Sequence, residues 1–320
     1  MRGKRGAVLG TLEEIATPDP APGEVLVRVR YAGVNYKDAI SSAGFILANS
    51  IDCVAGSEAV GEVVASCYEG VREGDEVIVH GRGLGMIRDG TFNSHVCLPG
   101  DWVVPLPSGM NALDAASLGS AGFVAALSLE AMEINGLRPD AGPVAVTGAS
   151  GGAGGCAVAL LASQGYKVTA ITRKAETQSK LLRDLGASEV RCSPDEAELA
   201  DTNLGEEYWA GAVDAVGGPL LAWLLRTSVR RAPIANFGIS GGATLNTSLL
   251  PLIVRGVRLL GISSDVPTNH RLSIWKRLAG PWQIAGVSKL AHCIKIEELP
   301  DVLSCMLRGE TTGRTLVTFP

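Results

Sequence analysis

Residues 25–34, VLVRVRYAGV, alternate apolar and charged positions, the two-residue period of a strand with one buried face. Two further short apolar runs, AVGEVVAS (59–66) and DEVIVHG (75–81), predict strands separated by glycine-containing turns. No helical pattern of any length interrupts this β-rich first third. The first is NALDAASLGSAGFVAALSLEAMEI (111–134), rich in Ala and Leu, with a break expected at Gly119–Gly122.

From about residue 143 the rhythm changes. PVAVT (143–147) predicts a short buried strand, GCAVALLASQG (155–165) a helix of small residues, and KVTAIT (167–172) a second strand. A polar helix (175–187), two strands (189–192 and 212–217), a helix (219–228) and a strand (234–239) follow, and residues 257–264 predict a last strand. Strands alternating with helices mean βαβ units and a parallel sheet. The tail predicts a helix, a glycine turn and a closing strand, TLVTF (315–319), that returns to the β-rich first part.

Composition narrows the classes. With 46% hydrophobic and 19% charged residues, the 320-residue chain can bury a large core, and as a prior its length fits two domains or one large one. A net charge of −5 with scattered Lys and Arg excludes a phosphate-backbone binder, so no nucleic acid is expected. No apolar run approaches the roughly 20 residues that span a bilayer, and the basic N-terminal stretch has no apolar core of the signal-peptide kind. Seven cysteines without a C-x-x-C pair suit free thiols in a reducing cytoplasm.

The chemistry concentrates in TGASGGAGG (147–155), which three enzyme classes could claim. A short-chain dehydrogenase needs Tyr-x-x-x-Lys, and none of the five tyrosines has a lysine four residues on. A hydrolase would use Ser150 in G-x-S-x-G, with Asp265 and His270 or His292 downstream. A dinucleotide-binding turn explains more. It sits between an apolar strand and a small-residue helix, so backbone N–H groups of Ser150, Gly151, Gly152, Ala153 and Gly154 face a pyrophosphate. Here Gly152 permits the tight turn, Gly154 the approach of the phosphates and Ala157 the packing of helix on sheet. About 20 residues on, where an NAD enzyme places an acid, stand Thr172, Arg173 and Lys174. A hydroxyl and two cations suit the 2′-phosphate of NADPH; the plain alternative is that both cations are merely solvated.

A β-rich domain, a Rossmann domain and a returning tail resemble the medium-chain dehydrogenase/reductase superfamily. Within it, NYKDA (35–39), GDWVVPLP (100–107), GSAGF (119–123), TGASGG (147–152), LGAS (185–188), WAGAVDAVG (209–217) and GRTLV (313–317) resemble the zinc-free acrylyl-CoA reductase group, relatives of the quinone oxidoreductases. The resemblance implies an α/β chain with a GroES-like catalytic domain over 1–117 and 287–320. A Rossmann NADPH-binding domain, a doubly wound parallel sheet, would occupy 118–286. It also implies no catalytic zinc, because Asn35 and Ser57 stand where zinc members carry Cys and His. A metal site from His80, His95 and Cys97 is conceivable, though ordinary strand positions explain them better.

The same resemblance implies residue roles. Asn35, Tyr36 and Asp38 stand at the nicotinamide end of an interdomain cleft, with Glu58 and Arg314 beside them. Ser120 lies near the nicotinamide ribose, and Gly238, Ile239 and Ser264 flank the ring. Each has a plainer alternative: Asn35 or Asp38 caps a helix, Tyr36 is a core aromatic, Arg314 a surface ion pair. Two departures bear on substrate. AGSE (55–58) replaces the relatives' Pro-Gly-Ile-Asp, and Arg82 replaces a Trp in a loop expected to border the substrate pocket.

The expected reaction is hydride transfer from NADPH to the β-carbon of a small α,β-unsaturated acyl thioester, an acyl-CoA or related enone. The α-carbon is then protonated by Tyr36 or by an ordered water, and both remain open. A quinone or alkenal reductase of the same fold is the nearest rival. A hydrolase built on Ser150 and a non-catalytic nucleotide binder are the rivals of other classes. A homodimer is expected from the resemblance.

Overall fold

The alternation at residues 25–34 becomes β1 (Glu24–Val34), with Val25, Val27 and Val29 buried and Arg28 and Arg30 exposed. The computed structural model describes residues 10–44, 53–200 and 204–319. The chain divides into two compact units, one of residues 1–120, 265–279 and 286–320, the other of residues 121–264 and 280–285.

In the first unit, β1 pairs antiparallel with β2 (Glu58–Ser66), which pairs with β3 (Glu76–His80). β4 (His95–Pro99) pairs with the first half of β1, from Glu24↔Pro99 to Arg28↔His95, and β5 (Val104–Pro105) pairs with β3. The second half of β1 is completed by β13 (Arg314–Thr318), from Tyr31↔Thr318 to Val34↔Thr315, with β12 (Ala291–Ile294) parallel to β13 outside it. The tail therefore returns to the first unit, as its pattern predicts. Valines of β1, β2 and β3, with Leu98, Leu299, Leu303 and Val317, form the core. Each such side chain contributes about 1.5–3 kcal/mol on burial.

In the second unit, β6 (Pro143–Thr147), β7 (Lys167–Thr172), β8 (Glu189–Cys192), β9 (Gly211–Asp214), β10 (Pro233–Asn236) and β11 (Arg258–Gly261) form one parallel sheet in the order β11-β10-β9-β6-β7-β8. After β6 and β7 the chain builds outward on one side, and from β9 on the other. The strand order thus reverses between β6 and β9, where open α/β sheets bind ligands.

Three expectations are corrected. A helix, Tyr36–Ser42, does interrupt the β-rich part; seven residues are too few to show a helical period. The helix Thr268–Leu278 belongs to the first unit, although the expected boundaries run from 118 to 286. Its Trp275 Nε1 donates to His80 Nε2 at 3.0 Å, and its Arg271 donates to the His80 carbonyl at 3.0 Å. Finally, the helix Ala112–Ile134 is long and apolar enough to cross a membrane by length and composition. It is instead a core helix, with 83% of its apolar window buried. The expected break occurs at Gly119 (φ 48°, ψ −148°).

Candidate active site

Three neighbouring strands set the first group of side chains. β13 begins at Arg314, β1 ends at Val34 just before Asn35, and β2 begins at Glu58. Because β1 lies between the other two, Arg314, Asn35 and Glu58 are brought together. Arg314 and Glu58 are both 2% exposed and form an ion pair. The guanidinium also donates to Ser117 O at 3.1 Å, Asn35 Oδ1 at 3.1 Å, and Val34 O and Ala116 O at 3.4 Å, which occupies all its donors. The other Glu58 oxygen accepts from the Ser120 N–H at 2.6 Å and from the Ser120 hydroxyl. Gly33 and Gly119 make room for the pair, since a Cβ on either would overlap the Glu58 carboxylate.

Charge follows from this packing. Burial would raise the Glu58 carboxyl, but Arg314 and the Ser120 donors outweigh it and hold it down at about 2. Asp38 is also buried but forms no ion pair among the described residues; burial pushes it up to about 6 against the opposing charge of Lys37. Asp38 Oδ2 accepts the Asn35 N–H at 2.8 Å, so the two residues form a helix cap. Arg314 is an ion pair too, but a buried one. Tyr36 is half-buried, the first residue of the same helix. A cavity of about 40 Å³, large enough for water, lies beside Asp38 and is lined by Lys37, Ser41, Ser57, Gly81 and Gly83 among others.

In the second unit, the glycine turn tightens at Gly148 (φ 59°) rather than at Gly152. Gly154 is also required by packing: a Cβ there would fall on the Gly148 carbonyl, so helix and turn touch backbone to backbone. The helix Gly152–Ser163 starts without a side-chain cap or an acidic first turn, leaving its leading N–H groups for an anion. Ser150 and Thr172 are buried with hydroxyls 2.8 Å apart, and the Lys174 N–H reaches Thr172 Oγ1 at 3.2 Å. This ties the turn after β6 to the end of β7. Arg173 is exposed and makes no ion pair among the described residues. Gly238 and Ile239 follow β10, and Ser264, half-buried, follows β11.

Two groups were not anticipated. Asp214, fully buried at the end of β9, is joined by Thr147 and Asn236; its signal was a lone acid inside the apolar run WAGAVDAVG. Buried His80 meets Arg271 and Trp275, residues 191 and 195 positions away, which no local pattern reveals. Burial and then the charge of Arg271 hold His80 well below the ordinary imidazole range, so it stays neutral and accepts from Trp275. His80, His95 and Cys97 do not converge: Cys97 Sγ donates to Glu24 Oε2 at 3.2 Å, and His95 Nδ1 meets Ser94 Oγ at 3.1 Å. Among the described residues no three His, Cys, Asp or Glu side chains are placed to hold a metal. The hydrolase reading of Ser150 is overturned as well. Its hydroxyl is held by Thr172 and not by an imidazole, and His292 Nε2 is engaged with Thr315 Oγ1 at 2.9 Å.

The alcohol dehydrogenase GroES-like domain family matches residues 21–108. The acrylyl-CoA reductase AcuI of Ruegeria pomeroyi is 37% identical over 98% of this chain and 95% of its own length. The putative quinone oxidoreductase YhfP of Bacillus subtilis is 39% identical over 96% and 93%; its structure with NAD bound gives a TM-score of 0.88 at 38% identity, covering 95% and 93%. The yhdH oxidoreductase of Salmonella enterica in complex with NADP gives a TM-score of 0.91 at 33% identity, covering 100% of this chain and 98% of that one. With its two sheets, its glycine turn and identity of this extent along nearly its whole length, the chain belongs to the zinc-free medium-chain dehydrogenase/reductases, in the group that holds the acrylyl-CoA reductases and YhfP.

Proposed function

We propose that this oxidoreductase uses NADPH to reduce the C=C bond of a small α,β-unsaturated acyl thioester. Hydride adds at the β-carbon and a proton at the α-carbon. The observation that carries the reading is the orientation of Asn35. Its amide oxygen is held by Arg314 at 3.1 Å with the Ser120 hydroxyl 3.3 Å away; its NH₂ gives one hydrogen to the Gly33 carbonyl at 3.5 Å, which leaves the second to donate. A fixed N–H donor is what a thioester oxygen needs as negative charge develops on it. The likeness to AcuI supports the thioester; the likeness to YhfP keeps a quinone or alkenal as the second substrate reading.

NADPH supplies the hydride when bound. The residues present suit it: the uncapped helix start at Gly152–Gly154 receives the pyrophosphate, and exposed Arg173 with Lys174 receives the 2′-phosphate. Glu58 and Arg314 take no proton, because their hydrogen bonds are spent on each other, Ser120 and Asn35; they position Asn35. Tyr36 delivers the proton to the α-carbon. Asp38 holds the first turn of its helix.

We also propose a homodimer. Among the described residues β11 has one neighbour in its sheet, and the segment before it exposes Leu249, Ile253 (74%) and Val254. An open strand edge beside exposed apolar side chains suits pairing with a second copy about a two-fold axis. Seven cysteines outside any disulfide suit a reducing compartment such as the cytoplasm.

The function is tested by following NADPH and NADH absorbance with acrylyl-CoA, crotonyl-CoA, a quinone and an ester. Rapid NADPH oxidation with the thioesters and none with the quinone is expected; the reverse preference would overturn the thioester reading. Arg173→Ala should weaken NADPH binding about 10- to 100-fold, since a hydrogen bond to a charged group contributes about 1.5–3 kcal/mol, and leave NADH binding unchanged. Equal losses for both cofactors would show a structural residue. Tyr36→Phe should lower kcat by about 10²–10⁴ with little change in NADPH affinity; full activity would assign the proton to water. Light scattering should give twice the 33.1 kDa chain mass, falling to one chain mass in Ile253→Glu. A wild-type mass of one chain would exclude the dimer.

A further inference from the structure

Asp214 is a carboxylate at the strand-order reversal that forms no ion pair among the described residues. It is 0% exposed and ends β9, next to β6 on one side and β10 on the other. Four donors converge on it from three strand ends. One oxygen accepts from the Thr147 hydroxyl and from the Val216 N–H at 3.2 Å; the other accepts from the Gly217 N–H at 2.8 Å and Asn236 Nδ2 at 2.7 Å. Thr147 is held in turn, since its hydroxyl accepts the Ala215 N–H at 3.2 Å. Asn236 Nδ2 also donates to the Gly238 carbonyl at 3.1 Å. A side chain with acceptors only satisfies all four donors at once, which an amide could not.

The loops this network ties are packed without side chains between them. A Cβ on Gly238 would fall on the Ala215 backbone, and the Gly241 N–H donates to Val216 O at 2.8 Å. Gly217 pairs with Gly242 as an isolated bridge, and Gly217 and Gly218 hold φ of 76° and 56°. Residues 215–218 and 237–242 therefore form one surface outside the carboxyl ends of β9 and β10. Ligands in open α/β sheets bind at that place. The turn after β6, where the pyrophosphate docks in the reading above, borders the same reversal.

We infer that Asp214 is a positioning residue for the nicotinamide half of the cofactor. Directly it fixes residues 215–217, and through Asn236 it fixes the Gly238 carbonyl, an acceptor suited to the carboxamide of the ring. The adenine half is held elsewhere, by the turn after β6 and the end of β7, which Asp214 reaches only through the Thr147 hydroxyl. This inference rests on the NADPH reading and adds to it a division of labour within one sheet.

Two ligands separate the halves: NADPH, which has both, and 2′,5′-ADP, which lacks the nicotinamide. Their dissociation constants are measured by calorimetry for the wild type, Asp214→Asn and Asn236→Ala, with thermal melting as a check of folding. The expected result is a loss of about tenfold or more in NADPH affinity and less than about twofold in 2′,5′-ADP affinity. Asn236→Ala, a milder change at a half-buried position, carries the same comparison should Asp214→Asn not fold. Equal weakening of both ligands, or unchanged NADPH affinity in a folded variant, overturns the inference. A wild-type chain that binds neither ligand overturns the cofactor reading itself, and this inference with it.

Discussion

A carboxylate and a guanidinium can stay charged in an apolar interior only if each compensates the other and every remaining donor and acceptor is met, because desolvation costs several kcal/mol per ion. Glu58 and Arg314 meet that condition, and much of the first unit follows from it. The pair joins β2 to β13 on either side of β1, so the returning tail is held by charge as well as by its ladder. Its volume demands glycine at 33 and 119, and the second of these breaks the long helix of residues 112–134. Its spare hydrogen bonds set which way the Asn35 amide points. The residue proposed above as the donor to substrate thus takes its orientation from a pair that takes no proton in that reading.

The second unit solves the same problem without opposite charge. Asp214 is as deeply buried as Glu58, yet its partners are a hydroxyl, an amide and two backbone N–H groups. Such donors are dipoles fixed by the strands that carry them, so the geometry of the sheet is itself the compensation. The cost is paid in sequence freedom: the loops beside Asp214 close only with glycine at 217, 218 and 238.

Much of this was legible because it repeats at short range. The alternation of β1, the βαβ rhythm from residue 143 and the glycine turn each declare themselves within about ten residues. Arg314, Asn35 and Glu58 follow from the family resemblance, but no local pattern could show that Arg314 and Glu58 neutralise each other. That contact depends on two strand registers and a span of 256 residues. The helix Thr268–Leu278 was misplaced for the same reason: its anchor, His80, lies 191 positions before Arg271. Tyr36–Ser42 was missed because seven residues make fewer than two full turns beyond their cap. Gly152 and Gly154 are legible as residues that need no side chain, but the tight turn itself falls at Gly148, and backbone contact at Gly154 calls for a missing side chain as phosphate approach does.

The chain passes from one unit to the other at residues 120–121, 264–265, 279–280 and 285–286. A ribosome adds residues in order, so the second unit, with all six strands of its sheet between residues 143 and 261, is complete before β12 and β13 exist. Until Arg314 is added, the nascent first unit holds Glu58 without its counter-charge and β1 with half an edge unpaired. A unit begun before the other is thus finished after it, and its open edge must be kept from other chains throughout that interval.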